Sequence, residues 1–185
     1  MLYGYRQENP DLPIMNRFAL IIFLPERLDT IISPLRERFD PDYSVVSSHL
    51  SLVAPFETDK PVNAITKIVR SELEDIQDLK IELDSIGDFY PSFPLIYWTM
   101  KPNKEIDSLY KTLYARLEVG LPYKSYQPHV TVAREISDHR VLLVKEKIIP
   151  YLPNESFVAT AVDLVAPVAG QNWVSVRTFP LKYRI

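Results

Sequence analysis

An α+β fold of two similar lobes is the architecture this sequence predicts, on three observations. Short apolar or alternating runs give way repeatedly to segments whose apolar residues recur every three or four positions. The order strand, helix, strand, helix, strand occurs twice, with matching elements 76 to 80 residues apart. The best-aligned points, His49-Leu50-Ser51-Leu52 and His129-Val130-Thr131-Val132, stand 80 residues apart. Together they predict a bilobal duplicated domain: two antiparallel-type sheets with flanking helices around a central cleft that carries two H-x-[S/T] motifs.

In chain order, residues 17–24 form a β-branched apolar run of strand length closed by Pro25. Leu28, Ile31, Ile32, Leu35 and Phe39 then share one helix face, and Asp40-Pro41 ends that helix. Residues 47–54 read as a strand stopped by Pro55. Residues 62–79 read as a helix with Ile65, Ile68, Val69, Leu73 and Ile76 inward, and 80–89 alternate as a half-buried strand. The second copy comprises a strand at 95–100, a helix at 104–119, a strand at 128–134, a helix at 138–151 and a strand at 157–165. A last strand, 173–181, follows a turn at Gly170-Gln171-Asn172 and has no counterpart in the first copy. Residues 1–185 thus read as one domain with repeat halves 17–90 and 94–166, and residues 1–14 as an extension of it.

Composition narrows the chemistry. With 21 basic and 24 acidic residues the net charge is -3, so no chain-wide basic field exists to grip long nucleic acids. The absence of Cys removes thiolate catalysis and Cys-based zinc sites and suits a reducing compartment. The four glycines, at positions 4, 87, 120 and 170, are too far apart for a G-x-G-x-x-G or Walker loop, so no nucleotide-cradling loop and no bound cofactor are expected. The run 18–24 is too short to span a membrane. A soluble, cytoplasmic monomer, with neither membrane nor protein partner, is the expectation.

Residues i and i+2 of a strand share a face, so each repeat offers an imidazole with a hydroxyl: His49 with Ser51, His129 with Thr131. If the lobes confront each other, the two imidazoles flank one cleft. That arrangement suits a phosphodiester: one neutral His takes a proton from the attacking hydroxyl or water, and the other, protonated, donates to the leaving oxygen. The hydroxyls donate to the non-bridging oxygens. Modest pKa shifts in opposite directions would keep a base and an acid available near neutrality.

The motifs, standing as residues 49–56 (HLSLVAPF) and 126–134 (YQPHVTVAR) with DPDY at 40–43 ahead of the first, resemble the two-histidine (2H) phosphoesterase superfamily over roughly residues 17–181. The resemblance implies that His49 and His129 are the acid-base pair and that Ser51 and Thr131 bind phosphate. It further implies a metal-independent phosphodiesterase acting on 2′,3′-cyclic phosphates of RNA ends or nucleotides and leaving a 2′-phosphate, with 2′,5′ ligation as the reverse reaction. RNA termini, cyclic nucleotides or related small phosphodiesters are then the partners.

Arg134 is a candidate to neutralise phosphate, although strand parity puts it opposite His129 unless the strand has bulged or ended by then. Phe56 and Tyr126 flank the motifs as candidate base-stacking residues. Tyr97 and Trp98 read as strand core and rim, Lys124 as a solvated charge and His139 as structural. A zinc site recruiting Asp59 or Glu135 is the rival chemistry, weakened because neither histidine strand carries a second ligand on the same face. A non-catalytic nucleotide or RNA-end binding protein is the alternative from another class.

Overall fold

The structure, a computed structural model, describes residues 16–122, 126–168 and 172–183. The readings of residues 1–14, of Lys124 and of the turn at Gly170-Gln171 lie outside the described residues. The elements are β1 (Asn16–Phe23), α1 (Glu26–Phe39), β2 (His49–Thr58), α2 (Val62–Leu73), β3 (Leu79–Phe89), β4 (Phe93–Met100), α3 (Lys104–Leu117), β5 (His129–Ala133), α4 (Val141–Ile148), β6 (Glu155–Ala159), β7 (Ala161–Pro167) and β8 (Trp173–Pro180). Single 3-10 turns flank α4 at Asp138–Arg140 and Ile149–Tyr151. Among the described residues no helix is long and apolar enough to cross a membrane.

The strands form one antiparallel sheet in the order β6-β3-β4-β5-β2-β1-β7-β8. This corrects the expectation of two sheets. Two four-stranded halves share one ladder, joined at a single bridge that sets Leu50 opposite Val130. Both residues are fully buried, and backbone groups buried there need partners, which each strand supplies to the other. The halves also exchange strands between the sequence repeats. β3 of the first repeat pairs with β4 of the second, while β7 of the second pairs with β1 of the first. The last strand, β8, then has a counterpart in β6, the edge strand of the other half.

Two expected elements differ for identifiable reasons. The strand anticipated over 157–165 is interrupted at Thr160, whose carbonyl accepts from the Leu181 amide, leaving β6 at one edge of the strand order and β7 next to the other. Ala159 and Ala161 are two peptide links apart, at most about 7 Å, so the sheet has to curl until its ends approach. The helix expected to reach Leu79 stops at Leu73 because the C-terminal segment competes for its last turn. Lys182 receives the Asp78 amide, donates its own to the Ile76 carbonyl and bridges Gln77 in parallel.

All four helices contribute to one core against one face of the sheet. Leu28 and Ile32 of α1, Ile65 and Val69 of α2, Ile106 and Leu113 of α3 and Val141 and Ile148 of α4 are each fully buried with Leu20, Ile22, Leu50, Ile96, Trp98 and Val130. Asn103 caps α3, its side chain accepting from the amides of Glu105 and Ile106. The other face carries a smaller apolar cluster of Ala19, Ile21 and Val165 with Phe23, Val46 and Trp173 packed on it. Since Phe23 pairs with His49 and Ile21 with Ser51, this second face also carries the first H-x-S motif.

Candidate active site

β2 and β5 each begin at a histidine, and the bridge between Leu50 and Val130 fixes their register. In an antiparallel pair centred there, His49 falls on the side of Thr131 and Ser51 on the side of His129. All four side chains stand on the face opposite the buried Leu50 and Val130, and all four are half-buried. The sequence places a hydroxyl two residues along the same strand from each histidine; the fold adds a second one across the seam. The two imidazoles are held alike. His49 Nδ1 lies 2.8 Å from the Ser47 carbonyl and His129 Nδ1 lies 2.7 Å from the Gln127 carbonyl. A carbonyl only accepts, so Nδ1 carries the proton in both neutral rings and Nε2 is left free for proton transfer.

The expectation that the two pKa values shift in opposite directions is corrected: both are lowered. Burial is the largest cause in each case, partly offset by the carbonyl hydrogen bond. His49 is driven to about 4, helped by the positive charges of Arg36 and Arg134 and by its proximity to His129; Arg134 also acts on His129. No acidic group contributes to either shift, so no carboxylate raises one ring against the other.

Arg134 reaches the histidine side because of a bulge. Tyr97 pairs with Thr131 but Ile96 pairs with Ala133, so Val132 is an extra residue in β5 and the parity beyond it is reversed. β2 carries the same irregularity eighty residues earlier, with Ile21 opposite Ser51 and Leu20 opposite Val53. Arg134 ion-pairs with Asp40 at 3.1 Å and Asp42 at 2.9 Å. Its amide donates to the Phe39 carbonyl. Asp40 is buried and also receives Arg36 Nε at 3.0 Å. Arg36 in turn donates to Ser48 Oγ and to the Val46 carbonyl. The segment leading into His49 is thereby tied through Arg36 and Asp40 to the end of β5, and these residues escape a reading of the motifs alone. The DPDY segment at 40–43 is the signal that could have found Asp40.

The other candidates divide. Phe56 is 6 % exposed and packs on Phe18 in the helix-side core, ring centroids 6.2 Å apart, so it is not brought to the histidine face. It lies seven residues beyond His49, and the two register shifts between β2 and β1 cancel, so strand alternation itself turns it inward. Tyr126 is not a free stacking surface: its ring lies 3.9 Å from that of Tyr110, nearly parallel. Its hydroxyl, whose pKa burial pushes up, donates to the Ser51 carbonyl at 2.8 Å. It therefore ties the segment before His129 to the strand of His49. Tyr97, read from sequence as strand core and rim, packs against His129 at 4.9 Å, and Phe89 meets the same imidazole edge-on at 5.2 Å. Trp98 is fully buried on the helix side, and His139 is exposed on the turn before α4. Asp59 and Glu135 are exposed, and no group of three His, Asp or Glu side chains among the described residues is arranged to hold a metal ion.

Comparison with known proteins agrees with this fold. A protein of Bacillus pumilus named "Putative phosphoesterase" is 32% identical over 123 residues, covering 66% of this chain and 72% of the relative. One of Oceanobacillus iheyensis with the same designation is 24% identical over 170 residues, covering 89% and 98%. Among solved structures, Escherichia coli LigT complexed with 3′-AMP superposes with a TM-score of 0.68 at 17% identity, over 90% of this chain and 98% of that one. A Thermus thermophilus protein superposes with a TM-score of 0.64 at 14% identity, over 91% and 100%. The family model of the 2′-5′ RNA ligase superfamily matches residues 24–171, both histidine motifs included, and the chain belongs to that superfamily.

Proposed function

We propose that the protein is a phosphoesterase that opens 2′,3′-cyclic phosphates of nucleotides or RNA ends, with His49 as general base and His129 as general acid. The observation that carries this reading is the pair of imidazoles anchored identically through Nδ1 across one bridge, each with a hydroxyl beside it and another across the seam. His49, the ring driven to about 4, is neutral at pH 7 and suited to take the proton of an attacking water through Nε2. The water oxygen bonds to phosphorus, the bond to the ribose 3′ oxygen breaks, and His129 delivers a proton to that oxygen. A bound phosphate anion favours the imidazolium form of His129, supplying the acid that the free protein holds less readily. Ser51 and Thr131 donate to the non-bridging oxygens, and Arg134 contributes positive charge. The product is a 2′-phosphate, and ligation of 2′ and 5′ ends is the same displacement with a 5′-hydroxyl attacking in place of water.

Proton transfer and hydroxyl donors do the work assigned elsewhere to a Lewis acid, so the proposed reaction is metal-independent. A chain without Cys suits action in the cytoplasm. Structures of Escherichia coli LigT hold 3′-AMP and phosphate, which makes small nucleotides the first ligand class to test. The experiment is turnover of 2′,3′-cyclic nucleotides and cyclic-ended oligoribonucleotides in strong chelator, with products separated against 2′- and 3′-phosphate standards. Hydrolysis to the 2′-phosphate, undiminished by chelator, is expected. Predominant 3′-phosphate would mean that the substrate sits reversed; binding without turnover would favour the non-catalytic alternative; loss in chelator restored by one metal would favour a metal site.

A further inference from the structure

The two halves of the histidine face are not alike. Beside Thr131 stands Tyr97, and beside Tyr97 stands Gly87, whose bare backbone the Tyr97 ring covers; a Cβ there would meet the ring at 2.5 Å. Beside Ser51, in the matching places, stand Ile21 and then Asp163. Where one half is closed by an aromatic ring, the other ends in a carboxylate.

Asp163 is a costly residue at this position. It is 8 % exposed and borders the apolar cluster of Ala19, Ile21 and Val165. No cation faces it among the described residues; its donors are two hydroxyls, Ser175 Oγ at 2.8 Å and Thr178 Oγ1 at 2.6 Å. Both donate to the same oxygen, Oδ1. Oδ2 receives no hydrogen bond from the described residues and is not sealed in the interior, so it is open to a donor from outside. The two hydroxyls also fix the rotamer, so Oδ2 is held in one direction.

We propose that Asp163 is a specificity-determining acceptor for the exocyclic amino group of a nucleobase, adenine or cytosine, whose phosphate lies between the histidines. The proposal rests on the phosphoesterase reading above. Ser51, Ile21 and Asp163 sit side by side on three adjacent strands, so Asp163 stands two strand spacings, about 10 Å, from Ser51. That is comparable to the span from a nucleotide's phosphate across its ribose to the far edge of its base. Ile21 itself is buried between the two ends, and the half-buried Phe23, Val46 and Trp173 packed on its cluster supply the apolar surface there. One free carboxylate oxygen matches one amino group, whereas the paired N–H donors of guanine call for both oxygens.

The test compares kcat/KM for 2′,3′-cyclic phosphates of adenosine and purine riboside, which differ only in the amino group, in the wild-type protein and in Asp163→Asn. Asn keeps an oxygen for Ser175 and Thr178 but replaces the free acceptor with a donor. The wild type should prefer adenosine roughly tenfold or more, the scale of a hydrogen bond to a charged group, and Asp163→Asn should abolish that preference while still hydrolysing purine riboside. Equal rates on the two substrates in the wild type, or an unchanged preference in the variant, would overturn the assignment. If Asp163→Asn does not fold, the wild-type comparison decides alone. If neither substrate is turned over, the phosphoesterase reading fails, and the dissociation constants of adenosine and purine riboside 2′-monophosphates decide on Asp163 separately.

Discussion

The burial that lowers the pKa of His49 has a cost that can be measured without any substrate. Its pKa falls from the unfolded value near 6.5 to about 4 in the folded protein. Between those values the unfolded chain binds more protons than the native one, so stability rises with pH and is lost as pH falls from 6.5 towards 4. His129 is shifted the same way and adds to the loss. Replacing His49 by Gln removes one of the two terms. The urea-derived stability lost between pH 7 and pH 4.5 should be smaller in His49→Gln by about 1 to 2 kcal/mol, allowing for the part of the ring that solvent reaches. An identical loss in both proteins would show that His49 titrates in the native state as it does in water. At this scale the sequence is informative about which residue types matter: two of only three histidines, each followed by a hydroxyl, already mark themselves. It is silent on the lowered pKa values, because burial of the rings, and the approach of Arg36 to His49 and of Arg134 to both, arise only through tertiary packing.

The strand irregularities decide which side chains join the motifs. Val132 and Leu52 are extra residues in β5 and β2; the first reverses the parity that follows it, while in β2 a second shift before Phe56 restores it. Alternation along 128–134 therefore misplaces Arg134, and proximity in sequence misplaces Phe56, which lies on the core side of its strand. Helix α2 shows the same limit, since its apolar spacing continues past Leu73 but Lys182 claims the following backbone groups. Local pattern finds the elements, and competition for hydrogen bonds sets their ends. Gly87 offers a prediction at this level. A methyl at this position would push the Tyr97 ring, which lies between Phe89 and His129 with centroid distances of 4.5 Å and 4.9 Å. Gly87→Ala should lose about 1 to 3 kcal/mol in thermal or urea unfolding through overpacking and lower kcat by displacing His129. Wild-type stability together with wild-type kcat would mean that Tyr97 yields freely and does not position the imidazole.

For the whole molecule, the spacing of the two motifs predicts a duplication but carries no trace of the topology. The repeats run consecutively in sequence, yet each half of the sheet borrows a strand from the other repeat, and the halves meet at one bridge. Strand exchange leaves no periodic trace, because pairing partners far apart in the chain are chosen by burial rather than by local pattern. The bridge is supplemented by side-chain ties: Tyr126 to the Ser51 carbonyl, and Arg134 to Asp40 and Asp42. In the proposed mechanism the seam holds two imidazoles on one phosphodiester.

Turnover of a 2′,3′-cyclic nucleotide by His49→Ala, His129→Ala and the double variant tests that claim most directly. Each single change should lower kcat by about two to four orders of magnitude, the scale of general acid-base catalysis. The double change should cost far less than the product of the two, because both groups act in one transition state. Near-wild-type activity in either single variant, or losses that multiply, would contradict it.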